Sequence, residues 1–170
     1  MRVKLLALVS VMTPLVTVMT MIFKIPIPAT QGYFNFGDAG VMLLSMLFGP
    51  YVGLIAGGLG SSLADILSGY SFYAPVTFFA KGVEGFIVGV IFAKFYKKSK
   101  LLAYTSGPVG GLFMISSYFI FESYFFSIGN ALVELPWNIL QALFGSMIAY
   151  SLYKLLFPIL HQRLLLRFLT

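Results

Sequence analysis

Apolar residues run almost unbroken from Val3 to Phe23, stop at Lys24 and the Pro26 and Pro28 pair, and then return in five further stretches. The longer stretches approach the roughly 20 residues that a helix needs to cross a bilayer, and none shows the strict alternation of a barrel strand. Helices are therefore predicted over residues 3–23, 39–48, 50–67, 73–96, 105–124 and 131–157. The fold class is an all-α integral membrane protein with six transmembrane helices, expected as one transmembrane domain over 1–170. Between the first two helices, the fixed φ and missing donors of the prolines favour a loop through Gln31, Asn35 and Gly37. The second stretch stops at Gly49-Pro50, and Pro50 suits the first turn of the next helix. Ten helical residues reach only about 15 Å. The second helix must then extend into the loop, lie packed inside protein, or join its neighbour through a covered break.

Composition agrees with this pattern. Of 170 residues, 59% are hydrophobic and 9% charged, with a mean hydropathy of +0.96, a balance outside the range of soluble domains. The first stretch begins with Arg2 and Lys4 but is longer than a signal peptide's apolar region, so it is read as a retained helix. The absence of cysteine removes thiolate metal sites and disulfides from consideration.

Charge orients the bundle. With six spans, Arg2, Lys4, Lys94, Lys97, Lys98, Lys100, Lys154, Arg163 and Arg167 share one side, nine of the eleven basic residues. Short cytoplasmic loops collect Lys and Arg, so both termini are expected in the cytoplasm of a multi-pass cell-membrane protein. The +6 net charge follows from that bias and from attraction to anionic lipid of the bilayer, without nucleic acid as a partner.

The five acidic residues avoid those loops. Asp38, Asp65, Glu122 and Glu134 fall near outer helix ends, and Glu84 sits mid-helix with Lys81 three residues before it. Ionisable groups at depth cost at least about a few kcal/mol each and normally face a cavity or one another. Thr77, Lys81 and Glu84 share one helical stripe, as do Glu134, Asn138 and Gln141. With Asn35, Asp38 and Asp65 they predict a polar pocket in the outer half, walled by Tyr70, Tyr73, Tyr118, Tyr124 and Trp137. Two plainer readings compete: Lys81 and Glu84 as an internal brace, and the aromatics as an interfacial belt. Gly49, Gly53, Gly57 and Ser61 form a small-residue ladder that ends at Asp65, a packing pattern that would hold its carboxylate against a neighbour. Ala7, Ser10, Pro14 and Thr17 make a second small or polar stripe.

Motifs of catalysis and energy supply are missing. The chain has no G-x-x-x-x-G-K-[ST] phosphate loop, no H-E-x-x-H and no G-x-S-x-G elbow, and its one histidine, His161, lies in the basic tail. No catalytic residue, metal site or cofactor is expected.

The loop Pro28-Ala29-Thr30-Gln31-Gly32-Tyr33-Phe34-Asn35-Phe36-Gly37-Asp38 leads into Leu47-Phe48-Gly49-Pro50-Tyr51-Val52-Gly53. Ala56-Gly57-Gly58-Leu59-Gly60-Ser61-Ser62-Leu63-Ala64-Asp65, Tyr73-Ala74-Pro75 and Lys81-Gly82-Val83-Glu84-Gly85 follow. Together they resemble the substrate-binding S components of energy-coupling factor (ECF) vitamin transporters. The resemblance covers the whole chain in size and helix plan, and its specific motifs fall between residues 25 and 90. It implies a six-helix protein that binds a vitamin or precursor under a gating first loop. It also implies docking on a transmembrane T subunit driven by two ABC ATPases. S components often carry an Ala-x-x-x-Ala docking pattern in helix one. Here Val11 follows Ala7, the pattern is incomplete, and docking is placed on Ala7, Ser10 and Pro14.

The expected substrate site comprises Asn35, Asp38, Asp65, Tyr73, Thr77, Lys81, Glu84, Glu134, Trp137, Asn138 and Gln141. Its excess of carboxylates disfavours anionic vitamins and suits a neutral or weakly basic aromatic ring. Riboflavin and hydroxymethylpyrimidine or thiamine both qualify. The competing functions are a small ion-coupled secondary transporter, in which Lys81, Glu84 and Asp65 relay protons, and a structural subunit without ligand.

Overall fold

The computed structural model describes residues 2–27, 30 and 32–160. Pro28, Gln31, His161, Arg163 and Arg167, which entered the loop and charge expectations, lie outside the described residues. Helix α1 (Arg2–Ile22) leads into a two-stranded antiparallel hairpin, β1 (Ile25–Pro26) and β2 (Tyr33–Phe34). Then come α2 (Gly37–Phe48) and α3 (Pro50–Val52), the latter running through a π turn (Gly53–Gly57) into α4 (Gly58–Leu67). The chain continues with α5 (Ala74–Phe95), the short α6 (Lys100–Tyr104), α7 (Ser106–Phe125) and α8 (Ile128–Leu160). Counting α3 and α4 as one, and setting aside five-residue α6, six helices form the bundle.

The short second helix is resolved by two of the three routes open to it. It starts two residues earlier than the apolar run, and ten of its twelve residues are buried. Protein, not lipid, surrounds its backbone, so about 18 Å of helix suffices. Its break from α3 falls at Gly49, whose φ of +91° is a conformation that side-chain-bearing residues avoid.

Gly53 and Gly57 of the ladder pack as expected, with a shift in register. A Cβ on Gly53 would lie 2.8 Å from the Gly85 carbonyl oxygen, and one on Gly58 would lie 2.7 Å from that of Phe78. The π turn carries an extra residue per turn. Gly57 therefore faces Val41 of α2 as well as the Lys81 carbonyl of α5, while Gly58 makes the closer approach to α5. On the other side, Thr17 Oγ1 donates to the Gly60 carbonyl at 2.9 Å, joining α1 to α4. The rest of α1 is mostly exposed, and Ala7, Ser10 and Pro14 all lie on its exposed surface.

At the end of the bundle away from the hairpin, Phe92, Tyr96, Tyr153 and Phe157 stack in one aromatic cluster. Lys94, Lys97, Lys98 and Lys100 fall at the end of α5, in the connection to α6 and at its start, and Lys154 lies 5.2 Å over the Tyr104 ring. The hairpin and α6 were not expected. Two-residue strands leave no periodicity to read, and α6 is a single turn opened by Ser99, whose hydroxyl accepts from the Leu102 N–H.

Candidate functional site

The hairpin closes over a cavity among α1, α4, α5, α7 and α8. The floor is an ion-pair network. Lys81 of α5 pairs with Asp38, and Gln141 Nε2 donates to the other Asp38 oxygen at 3.1 Å. Gln141 Oε1 accepts from the Asn35 backbone at 2.9 Å, and Asn35 Oδ1 accepts from the Gly37 N–H at the start of α2. These groups are all buried. A fully buried ion pair survives only when further hydrogen bonds satisfy its atoms, and Gln141 meets that need for Asp38. Asp38 was expected in the loop or at a helix end. It lies at a helix end, in the first turn of α2, where a Cβ on Gly145 would lie 2.7 Å from its side chain. The Lys81–Glu84 pairing, weighed as a brace, is present at 3.7 Å, and Asp38 is a closer partner from another helix.

Above the floor, Thr77 and Tyr118 share a hydrogen bond of 2.8 Å between α5 and α7, and Lys81 Nζ lies 5.6 Å over the Tyr118 ring. The hairpin is latched by two hydroxyls, Thr30 donating to Glu134 and Tyr33 donating to Asp65. Burial, and then the Asp65 carboxylate, push the Tyr33 phenol up from its ordinary value, so it stays a donor. Gly32 passes so close to Glu134 that any Cβ would overlap its carboxylate. Tyr70 packs on the Tyr33 ring at 4.7 Å, and Lys24 lies over both rings.

Asn35, Asp65, Tyr73, Thr77, Lys81, Glu134, Asn138 and Gln141 line the cavity. Asp38 and Glu84 do not line it, and both pair with Lys81 at its floor. Trp137 is 42% exposed and meets Phe34 edge-on, so it covers the hairpin from outside. Among the expected walls, Tyr118 lines the cavity, whereas Tyr124 is 81% exposed. Thr20, Gly32, Tyr33, Ser61 and Glu122 also line it and were not among the sequence candidates. Two of them carried a signal: Ser61 precedes Asp65 by four residues, and Glu122 follows Tyr118 by four, so each shares a helix face with a lining residue.

With the hairpin in this position the cavity volume is only about 30 Å³, so a guest larger than a water has to displace the hairpin or lining side chains. Around the cavity, the hydroxyl of Ser61, Asp65 Oδ2 and Glu122 Oε2 are buried without a hydrogen-bond partner among the described residues. Buried acceptors left unpaired cost free energy. Their arrangement suits a small guest that brings donors.

A Pyrococcus woesei protein described as uncharacterized, in a gap 3′ region, is 43% identical over 149 residues, 85% of this chain and 99% of that one. The thiamine precursor transporter HmpT of Lactococcus lactis subsp. cremoris is 28% identical over 162 residues, 95% of this chain and 90% of its own. The solved S component of a bacterial ECF transporter has the same fold, with a TM-score of 0.70 at 24% identity over 94% of this chain and 99% of that one. The family model of the ECF-type riboflavin transporter S component matches residues 1–157, and this multi-pass membrane chain belongs to that family of substrate-binding transporter subunits, which are not enzymes.

Proposed function

We propose that this chain captures a water-soluble vitamin precursor of the aminopyrimidine type, hydroxymethylpyrimidine or the corresponding part of thiamine, for an ECF-type ABC importer. The observation that carries this reading is the hairpin-covered cavity where, among the described residues, buried carboxylate oxygens lack partners and Lys81 is the one lining cation. An aminopyrimidine brings an amino group that donates to such acceptors and a ring nitrogen that pairs with a carboxyl group through one shared proton, and its flat ring suits Tyr33, Tyr73 and Tyr118. The likeness to HmpT supports the same choice. A second reading, riboflavin, draws support from the family description and from the same tyrosines. On either reading Asn35, Asp65, Tyr73, Thr77, Lys81, Glu134, Asn138 and Gln141 contact ligand. Asp38 and Glu84 fix the charge of Lys81, and Trp137 seats the hairpin.

Titration of the purified full chain with hydroxymethylpyrimidine, thiamine and riboflavin tests the proposal. Saturable binding of the pyrimidine, with a raised melting temperature, is the expected result. Binding of riboflavin alone would move the assignment to flavin. Binding of none would favour a structural subunit.

Energy is supplied by partners in this reading, a T subunit and two ABC ATPases, because the sequence holds no phosphate loop. Proteoliposomes of this chain alone are expected to bind but not concentrate the vitamin. Accumulation driven by a proton gradient would instead identify an ion-coupled secondary transporter. The T subunit docks on the exposed α1 stripe of Ala7, Ser10 and Pro14, where small side chains permit close helix approach. Both termini face the cytoplasm beside the lysine-rich end of this single domain. Ser10→Trp is expected to leave ligand affinity unchanged while lowering T-subunit co-purification and uptake by about tenfold or more. Unimpaired co-purification would move the interface elsewhere.

A further inference from the structure

Each carboxylate at this site is occupied to a different degree. Asp38 has Lys81 and Gln141, and Glu84 lies beside the same lysine. Asp65 and Glu134 each hold one hairpin hydroxyl. Glu122 shares an unpaired oxygen with Asp65 but differs from all four in having neither a lysine nor a hairpin hydroxyl among the described residues. It is only 2% exposed, lines the cavity, has Oε2 unpaired, and no lysine pairs with it among the described residues.

Its neighbourhood is aromatic. Tyr73, another lining residue, packs on Phe121 at 5.5 Å and stacks on Phe126 at 6.0 Å. A carboxyl group beside an aromatic wall provides a flat slot with one polar edge. The role of a latch is already taken, since Thr30 and Tyr33 reach Glu134 and Asp65. An internal brace would require a partner within the chain, and Glu122 Oε2 has none.

We infer that Glu122 is the specificity-determining residue that reads the amino-bearing edge of the ligand ring. The inference rests on the aminopyrimidine reading above. A carboxyl group and an N=C–NH2 edge align two parallel hydrogen bonds with one proton between them, whichever partner carries it. A side-chain amide also pairs with such an edge, as Asn and Gln do with adenine. A leucine makes neither bond. Sites built to hydrogen-bond a ligand lose most when that bond is removed, because the remaining polar group is left unpaired.

Glu122→Leu and Glu122→Gln in the purified full chain, titrated with hydroxymethylpyrimidine, provide the test. The leucine variant is expected to bind at least about tenfold more weakly. Its ligand-free melting temperature should be unchanged or higher, because an unpaired buried acceptor is replaced by an apolar group. The glutamine variant is expected to recover most of the affinity. Three results would overturn the inference: unaltered binding by the leucine variant, a fall in its ligand-free stability in step with binding, or a glutamine variant no better than leucine. A wild-type chain that does not bind the pyrimidine would overturn the substrate reading and this inference together. Wild-type binding that Glu122→Leu leaves intact overturns only the inference.

Discussion

Lys81→Met is expected to destabilise the ligand-free protein by about 3–5 kcal/mol, because it leaves Asp38 as a buried charge without its counter-ion. The apparent melting temperature should fall by about 10 °C for a chain of this size, readable from the fluorescence of the sole tryptophan, Trp137. Ligand binding should be lost as well, since Lys81 lines the cavity. Two buried carboxylates depend on this lysine, Asp38 in direct contact and Glu84 at 3.7 Å. Adding Asp38→Asn should recover at least about 2 kcal/mol of stability, because removing both partners strands less charge than removing one. The asparagine still offers an oxygen to Gln141 Nε2. Binding should not recover in step, as the cavity has lost its cation. If the double variant is as unstable as the sum of the two single ones, Lys81 and Asp38 are not coupled and the network does not form the floor.

The helix plan was legible because long apolar runs broken by Lys24, Gly49-Pro50 and the polar 97–100 segment leave few alternative readings in a membrane. Helical spacing was equally informative within one helix. The Glu134, Asn138 and Gln141 stripe does share the cavity, since a period of 3.6 residues fixes which side chains face together. Contacts between helices were not legible. Helical spacing offered Lys81 only Glu84 as a partner, which it does approach at 3.7 Å, whereas Asp38 reaches it from a helix 43 residues away. The same blindness applies to the hairpin. Thr30 and Tyr33 are ordinary loop residues until folding brings them to Glu134 and Asp65.

The lining residues therefore depend on how closely the helices that carry them approach, and Gly85 tests that dependence. A Cβ at Gly85 would lie 2.7 Å from the backbone carbon and oxygen of Gly53. The obstacle is main chain, so no rotamer change relieves it, and the helices must separate. Gly85→Ala is expected to cost about 2–3 kcal/mol, within the range for overpacking, and Gly85→Val more. Gly69→Ala serves as the comparison. That residue has a φ of +86° but open space around it, so only the backbone penalty of about 1–2 kcal/mol applies. The two substitutions should differ more clearly in function than in stability. Gly85 belongs to α5, which carries Thr77 and Lys81, and it meets the π turn that runs into α4, which carries Ser61 and Asp65; all four of these side chains line the cavity. Separating them widens the site, so Gly85→Ala should weaken ligand binding by about tenfold or more while Gly69→Ala leaves it near wild type. Equal affinities in the two variants would mean that the contact of α5 with the π turn leading into α4 does not set the width of the cavity.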